Sequence, residues 1–377
     1  MLECDAIASF PLPEEGEFSH ALVKTSAYLL KGVQIRGNSL EICDRRELIS
    51  SIRNYFPKEE GKLRVHGVRP IGNDGKYELI KKIGSKINSN IGNDAGELIE
   101  AFIQFLEKSD GKRINEALNE KVTTLSMLKA NFYYHGKLFG GVREGLVPKE
   151  SEVGVQIFSI IGLGLSFLSN SSLGYHYLLL PENIGEMIME KVVNGYKRVK
   201  EVLSNRLLLE APWPVKILKV SCELVLNNMK GELVYEDLVY GYLYTMQIGQ
   251  RATILSAEPL VTEGLVKLLS WLSSNGGEHY VKDLSMVSSL TSHIIGEVMG
   301  GIFASFINDI LLYSRTGSLF SLYKAISTIR RTSKAVGERG EHSIKVVSIY
   351  NKEFKVNEEI SEVLDHVAKG LSKLIRE

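Results

Sequence analysis

Residues 357–375, NEEISEVLDHVAKGLSKLI, decide the fold class of the C-terminal part of this chain. Their apolar members recur at the i, i+3, i+4, i+7 spacing that lines one face of an α-helix. Those members are Ile360, Val363, Leu364, Val367, Leu371, Leu374 and Ile375. Asn357 is a good N-cap, and Glu358 and Glu359 place negative charge at the positive end of the helix dipole. The sequence therefore predicts a long amphipathic helix with one buried face.

Working outward from this helix, helical periodicity extends back to about residue 256, and no convincing strand is found after that point. Upstream, the pattern is mixed, and the apolar runs of residues 154–180 favour strands. The predicted fold class is α+β, with a mixed α/β N-terminal part followed by a C-terminal helical bundle. The predicted domains are residues 1–255 and residues 256–377.

Two local patterns near the N-terminus predict specific structures. Gly37-Asn38 between the short apolar runs 33–36 and 40–43 predicts a two-stranded hairpin, because both residues suit a tight turn. Asp44, with Glu47 three residues later, is typical of a helix N-cap and its capping box. We therefore expect a hairpin that leads directly into a helix.

Composition excludes several classes of protein. The 377 residues include 45 Lys plus Arg and 45 Asp plus Glu, with 44% hydrophobic residues, which excludes a disordered chain and a histone-like polycation. Cys4, Cys43 and Cys222 form no CxxC pair, so we expect three reduced thiols in a cytoplasmic protein. The acidic start of the chain is unlike a signal peptide. The longest apolar run, residues 154–168, is too short to span a bilayer.

Sequence motifs for catalysis are absent. The chain has no GxxxxGK(S/T) phosphate loop, no GxSxG nucleophile elbow, no HExxH zinc motif and no GxGxxG fingerprint after a strand. The eight histidines share no metal-ligand spacing with one another or with a cysteine. We therefore predict no catalytic residue, no metal and no cofactor. A site assembled from distant Asp, Glu and His residues stays open as an alternative.

Charge is unevenly distributed along the chain. Residues 61–92 hold seven cations and two acids, residues 121–143 hold four cations and no acid, and residues 310–337 hold five cations and no acid. The compensating acids are concentrated in residues 1–20 and 94–120. A protein with separated basic and acidic segments can bind a polyanion through the first and dock other partners through the second.

The stretch FYYHGKLFGGVR, residues 132–143, combines aromatic residues, cations and a glycine pair. Tyr133 and Tyr134 can stack on bases, and Lys137 and Arg143 can meet phosphates. The glycine pair lets the backbone come close to a bound strand. The alternative interpretation is that the aromatic residues belong to the core and the glycines form a turn.

Helical phase predicts a second basic patch. At about 100° per residue, Lys324, Arg331 and Lys334 fall on one helix face, and Arg330 flanks it. The apolar residues of the opposite face are Leu322, Ile326, Ile329 and Val336. Adjacent arginines suit phosphate recognition, because the guanidinium fork matches phosphate oxygens. The alternative is an ordinary solvated helix face, which usually interleaves acids with its cations.

With these features the chain resembles the large subunit of archaeal type I-A CRISPR interference complexes. The resemblance covers most of the chain and rests on the mixed N-terminal part, the LKANFYY stretch at 128–134 with its Gly-Gly loop, and the helical C-terminal bundle. Residues 326–344, with IRRT at 329–332 and GEHS at 340–343, add to it. A content of only five Gln agrees with a thermophilic source.

The resemblance implies a non-catalytic subunit at one end of a guide-RNA complex that acts in antiviral defence. Such a subunit would help to recognise the short motif beside the target DNA, support strand separation, and dock the helicase and nuclease components. Its partners would be guide RNA, target DNA and the other subunits of the complex, with no membrane.

The site residues come from the residue patterns alone, since no family motif carries them over. Tyr133 and Tyr134 are predicted to stack on bases. The predicted phosphate contacts are Lys137, Arg143, Lys324, Arg330, Arg331 and Lys334. Two other functions remain open: a metal-dependent nuclease with a site assembled from scattered Asp, Glu and His, and a protein–protein scaffold without a nucleic-acid role.

Overall fold

The computed structural model describes most of the chain, in segments whose bounds are as follows. They are residues 4–15, 17–59, 62–69, 73–76, 78–87, 89–129, 150–181, 184–185, 188–228, 239–249, 252–262, 264–276, 278–288, 297–338, 346–349, 352–355 and 358–375. The chain folds into two compact units: unit 1 comprises Met1–Glu186 and Gly241–Glu258, and unit 2 comprises Met187–Tyr240 and Pro259–Glu377. The chain passes between the units at residues 186–187, 240–241 and 258–259.

Unit 1 combines helices with small sheets. Its helices are α1 (Phe18–Leu29), α2 (Arg45–Tyr55), α3 (Asn73–Lys76), α4 (Leu79–Lys86), α5 (Ala95–Lys108), α6 (Gly111–Asn119) and α7 (Val153–Ser166), with a 3₁₀ turn at Ser126–Lys129. Its strands are β1 (Ala8–Pro11), β2 (Val33–Arg36), β3 (Ser39–Ile42), β4 (Lys58–Glu59), β5 (Lys62–Leu63), β6 (Lys121–Thr123), β7 (Glu150–Glu152), β8 (Phe167–Ser171), β9 (Gly174–Leu179) and most of β10 (Val239–Ile248) and β11 (Ala252–Val261). The two larger sheets have strand orders β1-β3-β2 and β11-β10-β9-β8.

The hairpin and the helix predicted near the N-terminus are confirmed. Strands β2 and β3 pair antiparallel, with Arg36 opposite Ser39 across the Gly37-Asn38 turn. Gly37 has a φ of +58°, a conformation that glycine adopts without strain. Asp44 caps α2, since its Oδ1 accepts hydrogen bonds from the backbone nitrogens of Arg46 at 2.7 Å and Glu47 at 3.1 Å.

The prediction of strands across residues 154–180 is wrong for the first half of that stretch, which forms helix α7. Nearly every residue of α7 is buried, so its apolar run has no polar face from which a period could be recognised. Gly162 lies against α1, where an added Cβ would come within 2.3 Å of the Leu22 carbonyl oxygen. The Ser26 hydroxyl of α1 donates a hydrogen bond of 2.7 Å to the Phe158 carbonyl oxygen. Tertiary packing against α1 therefore decides the helical state.

The expectation of three reduced thiols is wrong, because Cys4 and Cys43 form a disulfide. The two residues are 39 positions apart in sequence, but antiparallel pairing of β1 with β3 places Ala8 opposite Ile42 and so brings Cys4 to the end of β3. Closing a loop of this length stabilises the fold by about 4 kcal/mol in the chain-entropy estimate. Cys222 is a buried free thiol.

Unit 2 is mainly helical, which confirms the prediction of a helical C-terminal region. Its helices are α8 (Met189–Leu203), α9 (Arg206–Leu209), α10 (Trp213–Asn228), α11 (Leu265–Gly276), α12 (Glu278–Ser288), α13 (Glu297–Thr316), α14 (Leu319–Glu338) and α15 (Glu358–Lys373). The prediction that no strand follows residue 256 is wrong. Strand β11 runs to Val261, and β12 (Val346–Ile349) pairs antiparallel with β13 (Lys352–Lys355). A four-residue strand is too short to show a period distinct from the helical pattern around it.

The last helix, α15, follows the predicted periodicity. Leu364, Val367 and Leu371 are each at most 1% exposed, as expected for the apolar face. The predicted cap, Asn357, lies outside the described residues. No helix in the described part of the chain has both the length and the apolar character that crossing a bilayer requires.

Candidate nucleic-acid interface

The predicted basic patch lies on α14, the second arm of a helical hairpin in unit 2. The first arm, α13, ends at Thr316, and the Gly317 backbone nitrogen donates a hydrogen bond of 2.8 Å to the Tyr313 carbonyl oxygen. Gly317 has a φ of +67°, which terminates α13 in the manner of a glycine C-cap and lets the chain enter α14 at once. The sequence Thr-Gly-Ser therefore determines where the basic helix begins.

The two faces of α14 are divided as helical phase predicts. Leu322 and Ala325 are fully buried and Ile329 is 1% exposed, so this side belongs to the core of unit 2. Lys324 and Arg331 are exposed on the opposite side, and Arg330 is exposed beside them. The predicted alternation of an apolar core face and a basic outer face is thus present in the structure.

Lys324 is engaged in an ion pair that sequence reasoning missed. Its Nζ lies 3.0 Å from Oδ1 of Asp309 on α13, and the Asp309 side chain is only 9% exposed. The acid-free stretch of residues 310–337 begins one position after this aspartate. Because the carboxylate already neutralises the ammonium, Lys324 is a weaker phosphate contact than the sequence suggested.

The two adjacent arginines remain available at the surface. Arg330 Nη2 donates a long hydrogen bond of 3.3 Å to the Ser372 hydroxyl of α15, a contact that leaves the rest of its guanidinium exposed. Arg331 is exposed, and no ion pair or hydrogen bond joins its side chain to another described residue. Lys334 lies on α14, but its side chain is outside what the structure describes. Among the described side chains of α14, the guanidinium groups of Arg330 and Arg331 are therefore the cations without an acidic partner.

Two aromatic side chains on the same outer side of α14 were missed by sequence reasoning. Phe320 is 77% exposed and Tyr323 is 53% exposed, which is unusual for rings of this size. Phe320 lies four residues and Tyr323 one residue before Lys324. Extending the helical phase of the cations toward the start of α14 could have identified both positions. We define the α14 surface as Phe320, Tyr323, Lys324, Arg330 and Arg331.

The basic segment of residues 61–92 in unit 1 has three cations that are paired with acids. Ion pairs join Arg64 to Glu59 at 2.8 Å, Lys81 to Glu78 at 3.1 Å and Lys86 to Glu120 at 2.6 Å. Glu120 is distant in sequence and comes from the acidic stretch 94–120, so folding brings the segregated charges together. Folding therefore compensates three of the seven cations counted along this segment.

Four of the predicted site residues cannot be related to the α14 surface. Tyr133, Tyr134, Lys137 and Arg143 lie in residues 130–149, outside the described residues. Of the basic stretch 121–143, Lys121 is described, and its Nζ lies 3.8 Å from the Glu152 carboxylate. The predictions for residues 132–143 stay predictions.

One group of potential metal ligands lies within ligand distance among the described residues, namely Cys4, Glu41 and Cys43. Its two sulfur atoms are bonded to each other in the disulfide, which leaves one carboxylate and no thiolate for a metal. Glu41 in addition accepts a hydrogen bond of 2.9 Å from the Gln34 side chain. This group does not hold a metal while the disulfide is intact.

A buried polar cluster in unit 2 has the residue types of a Ser–Lys nucleophile but not its accessibility. Lys219 Nζ donates to the Ser285 hydroxyl at 2.6 Å and lies 3.1 Å from the Glu223 carboxylate. Burial lowers the pKa of Lys219, and Glu223 opposes that shift. Ser285 is only 3% exposed and donates its own proton to Glu223 at 2.8 Å, so it is held as a structural hydrogen-bond donor.

The outward-facing combination of rings and guanidinium groups on α14 is therefore the best-supported binding surface among the described residues. Comparisons of the chain with protein-family models, with curated proteins and with solved structures find no match. What this surface binds must be inferred from its own chemistry.

Proposed function

We propose that this chain is a non-catalytic, nucleic-acid-binding large subunit of a CRISPR RNA-guided DNA interference complex. In that role it contributes to recognition of the motif beside the target DNA and hence to antiviral defence. Its partners are guide RNA, target DNA, the other subunits of the complex, and the helicase and nuclease components. It acts in the cytoplasm.

The observation that supports nucleic-acid binding is the pair of exposed arginines on α14, which have no acidic partner among the described residues. Arg330 and Arg331 are adjacent and solvent-exposed, and no ion pair joins either of them to another described residue. Arginine binds phosphate oxygens through a planar fork of donors, and such contacts supply most of the affinity for a nucleic-acid backbone. A polyanion is thus the ligand class that fits this surface.

The absence of a sequence motif for catalysis supports a binding role rather than a chemical one. The described group of metal-ligand side chains is occupied by the Cys4–Cys43 disulfide, and the described Ser–Lys–Glu cluster is buried. The disulfide is compatible with a cytoplasmic protein of a hyperthermophilic archaeon, since intracellular disulfides are common in such organisms.

The test of nucleic-acid binding is a salt titration of DNA affinity for the full chain. Replacing Arg330, Arg331 and Lys334 by Ala should flatten the slope of log affinity against log salt by about two to three units on duplex DNA. Each lost phosphate contact contributes about 0.9 to that slope, or about 0.7 on a single strand. The loss should be similar for different sequences, because phosphate contacts position the protein without reading bases.

A matched control removes three cations that are already paired. The variant Arg64→Ala, Lys81→Ala, Lys86→Ala loses the same formal charge from unit 1, where acidic partners compensate it. We expect its slope of log affinity against log salt to differ from that of the wild type by less than about 0.5. Equal slopes for the α14 variant and the wild type would contradict the proposal, as would equal losses in both variants.

The role in an RNA-guided complex needs its own test. Tagged protein expressed in its source organism should co-purify with guide RNA and other complex subunits. In a separate cleavage assay, the purified protein should leave DNA uncut in the presence of magnesium or manganese. Reproducible cleavage that disappears on changing an acidic residue would instead favour the metal-dependent nuclease.

A further inference from the structure

A group of exposed apolar side chains lies around the turn between α13 and the start of α14. Seven large hydrophobic side chains are exposed in the described part of the chain, and four of them lie here: Leu312, Leu319, Phe320 and Tyr323. Phe320, with 77% of its surface exposed, is the most exposed of the seven. Large apolar side chains clustered at a surface usually mark a binding site.

The two rings share their side of α14 with the arginines. At about 100° per residue, Phe320 and Arg331 differ by only about 20° around the helix axis, and Tyr323 lies about 60° to one side of Phe320. Along the axis, Phe320 and Arg331 are separated by about 16 Å at the ordinary helical rise. That distance is about five phosphate spacings of a stacked strand at 3.4 Å each, so one short strand can meet both ends of the surface.

The positive charge that follows the rings along α14 favours a nucleic acid over an apolar or basic protein segment. Arg330 and Arg331 are exposed without an ion pair to another described residue, and Asp309, which faces α14 near its start, is already paired with Lys324 at 3.0 Å. A surface that carries both rings and cations is the combination that single-strand-binding proteins use, where bases stack on the rings and the cations contact the backbone.

We infer that Phe320 and Tyr323 form a base-stacking platform, so that the α14 surface binds single-stranded nucleic acid rather than an intact duplex. This inference rests on the proposed nucleic-acid function. The faces of bases within a duplex are covered by the neighbouring bases. An aromatic ring that projects from α14 therefore cannot stack on them. The bases of a single strand have open faces, and stacking on them is largely independent of sequence.

The test compares the affinity of the full chain for three fluorescently labelled probes. They are an oligothymidine strand, a strand of the same length composed of abasic sites, and a duplex. The variants are Phe320→Ala, Tyr323→Ala and their combination. Each single change should weaken binding of oligothymidine by about 5- to 140-fold, the range that corresponds to losing one stacked base. Binding of the abasic strand and of the duplex should change by less than about twofold.

Matched variants separate stacking from general loss of apolar surface. Phe320→Leu keeps an apolar side chain without a flat face and should lose affinity almost as Phe320→Ala does, whereas Phe320→Trp should retain it. Tyr55 of unit 1 is exposed to 38%, and Tyr55→Ala should leave all three affinities unchanged. Phe320 is so exposed that its replacement should not alter the thermal melting curve by more than a surface change does.

The outcomes distinguish this inference from the proposed function. If the arginine variants flatten the salt slope but Phe320→Ala and Tyr323→Ala leave oligothymidine affinity unchanged, nucleic-acid binding stands and the stacking platform is rejected. Equal losses on the abasic strand and on oligothymidine would also reject it, because the rings would then act without bases. If neither set of variants affects any probe, the proposed function fails as well.

Discussion

Replacing Lys324 should weaken folding, whereas replacing Arg331 should weaken nucleic-acid binding. Both side chains are exposed on α14, and sequence patterning treats them alike. The structure separates them, because Lys324 Nζ lies 3.0 Å from the carboxylate of Asp309 while Arg331 has no ionic partner among the described residues. The variants Lys324→Ala and Arg331→Ala therefore test whether tertiary contacts or sequence phase determine the function of a cation on this helix.

The size of the stability effect follows from the surroundings of Asp309. Its side chain is 9% exposed, and its second oxygen, Oδ2, is buried without a hydrogen-bond partner in the described part of the chain. Removing Lys324 therefore leaves a buried carboxylate without its charged partner, which costs about 1–3 kcal/mol. Because the Lys324 side chain is 53% exposed and its charge is screened by water, we expect the lower half of that range, about 1–2 kcal/mol. Arg331→Ala should change stability by less than about 0.5 kcal/mol.

Urea unfolding followed by tryptophan fluorescence measures the stability of unit 2, which contains α14, for both variants. The two tryptophans of the chain, Trp213 and Trp271, both lie in unit 2 with α14. A double-mutant cycle that combines Lys324→Ala with Asp309→Asn should give a coupling free energy of about 1 kcal/mol for this ion pair. The reasoning is refuted if Lys324→Ala leaves the unfolding midpoint unchanged and lowers DNA affinity as much as Arg331→Ala does.

Two further predictions concern packing and pH. Gly162→Ala should destabilise unit 1 by at least about 2 kcal/mol, because its Cβ would lie 2.3 Å from the Leu22 carbonyl oxygen, and hydrogen exchange of α1 and α7 should report the loss. Gly249→Ala, which has no atom within 4 Å of the added Cβ, is the control and should leave that exchange unchanged. Burial lowers the pKa of Lys200 from 10.5 to about 8, so the unfolded chain binds more protons between those values and stability should rise as pH rises through that window. Lys200→Met should raise the stability of unit 2 at pH 7 by on the order of 1–3 kcal/mol. It should also flatten the increase of stability with pH, measured by urea unfolding. A variant with the same pH profile as the wild type would contradict the prediction.

Much of the local structure could be predicted because its causes lie within a few residues of one another. The Asp44 carboxylate needs only the two amides that follow it, and the Gly37-Asn38 turn needs only its own backbone freedom. The two faces of α14 and of α15 follow from helical phase, since i, i+3 and i+4 neighbours share a side whatever the rest of the chain does. The sequence by itself therefore determined the helical character of the C-terminal region and the outward position of Arg330 and Arg331.

Tertiary structure decided the features that depend on distant residues. Residues 153–166 are helical because α1 packs against Gly162, and an apolar run buried on all sides has no period of its own. Cys4 and Cys43 become neighbours only when β1 pairs with β3.

The electrostatic character of the surface was decided in the same way. Charges counted along a sequence window omit partners from outside it, and Asp309 and Glu120 are such partners for Lys324 and Lys86. Exposure of Phe320 could likewise not be read from its residue type, because a phenylalanine on an amphipathic helix is more often buried than exposed. Local sequence determined which way the α14 side chains point, and the fold determined which of their charges and rings remain available to a ligand.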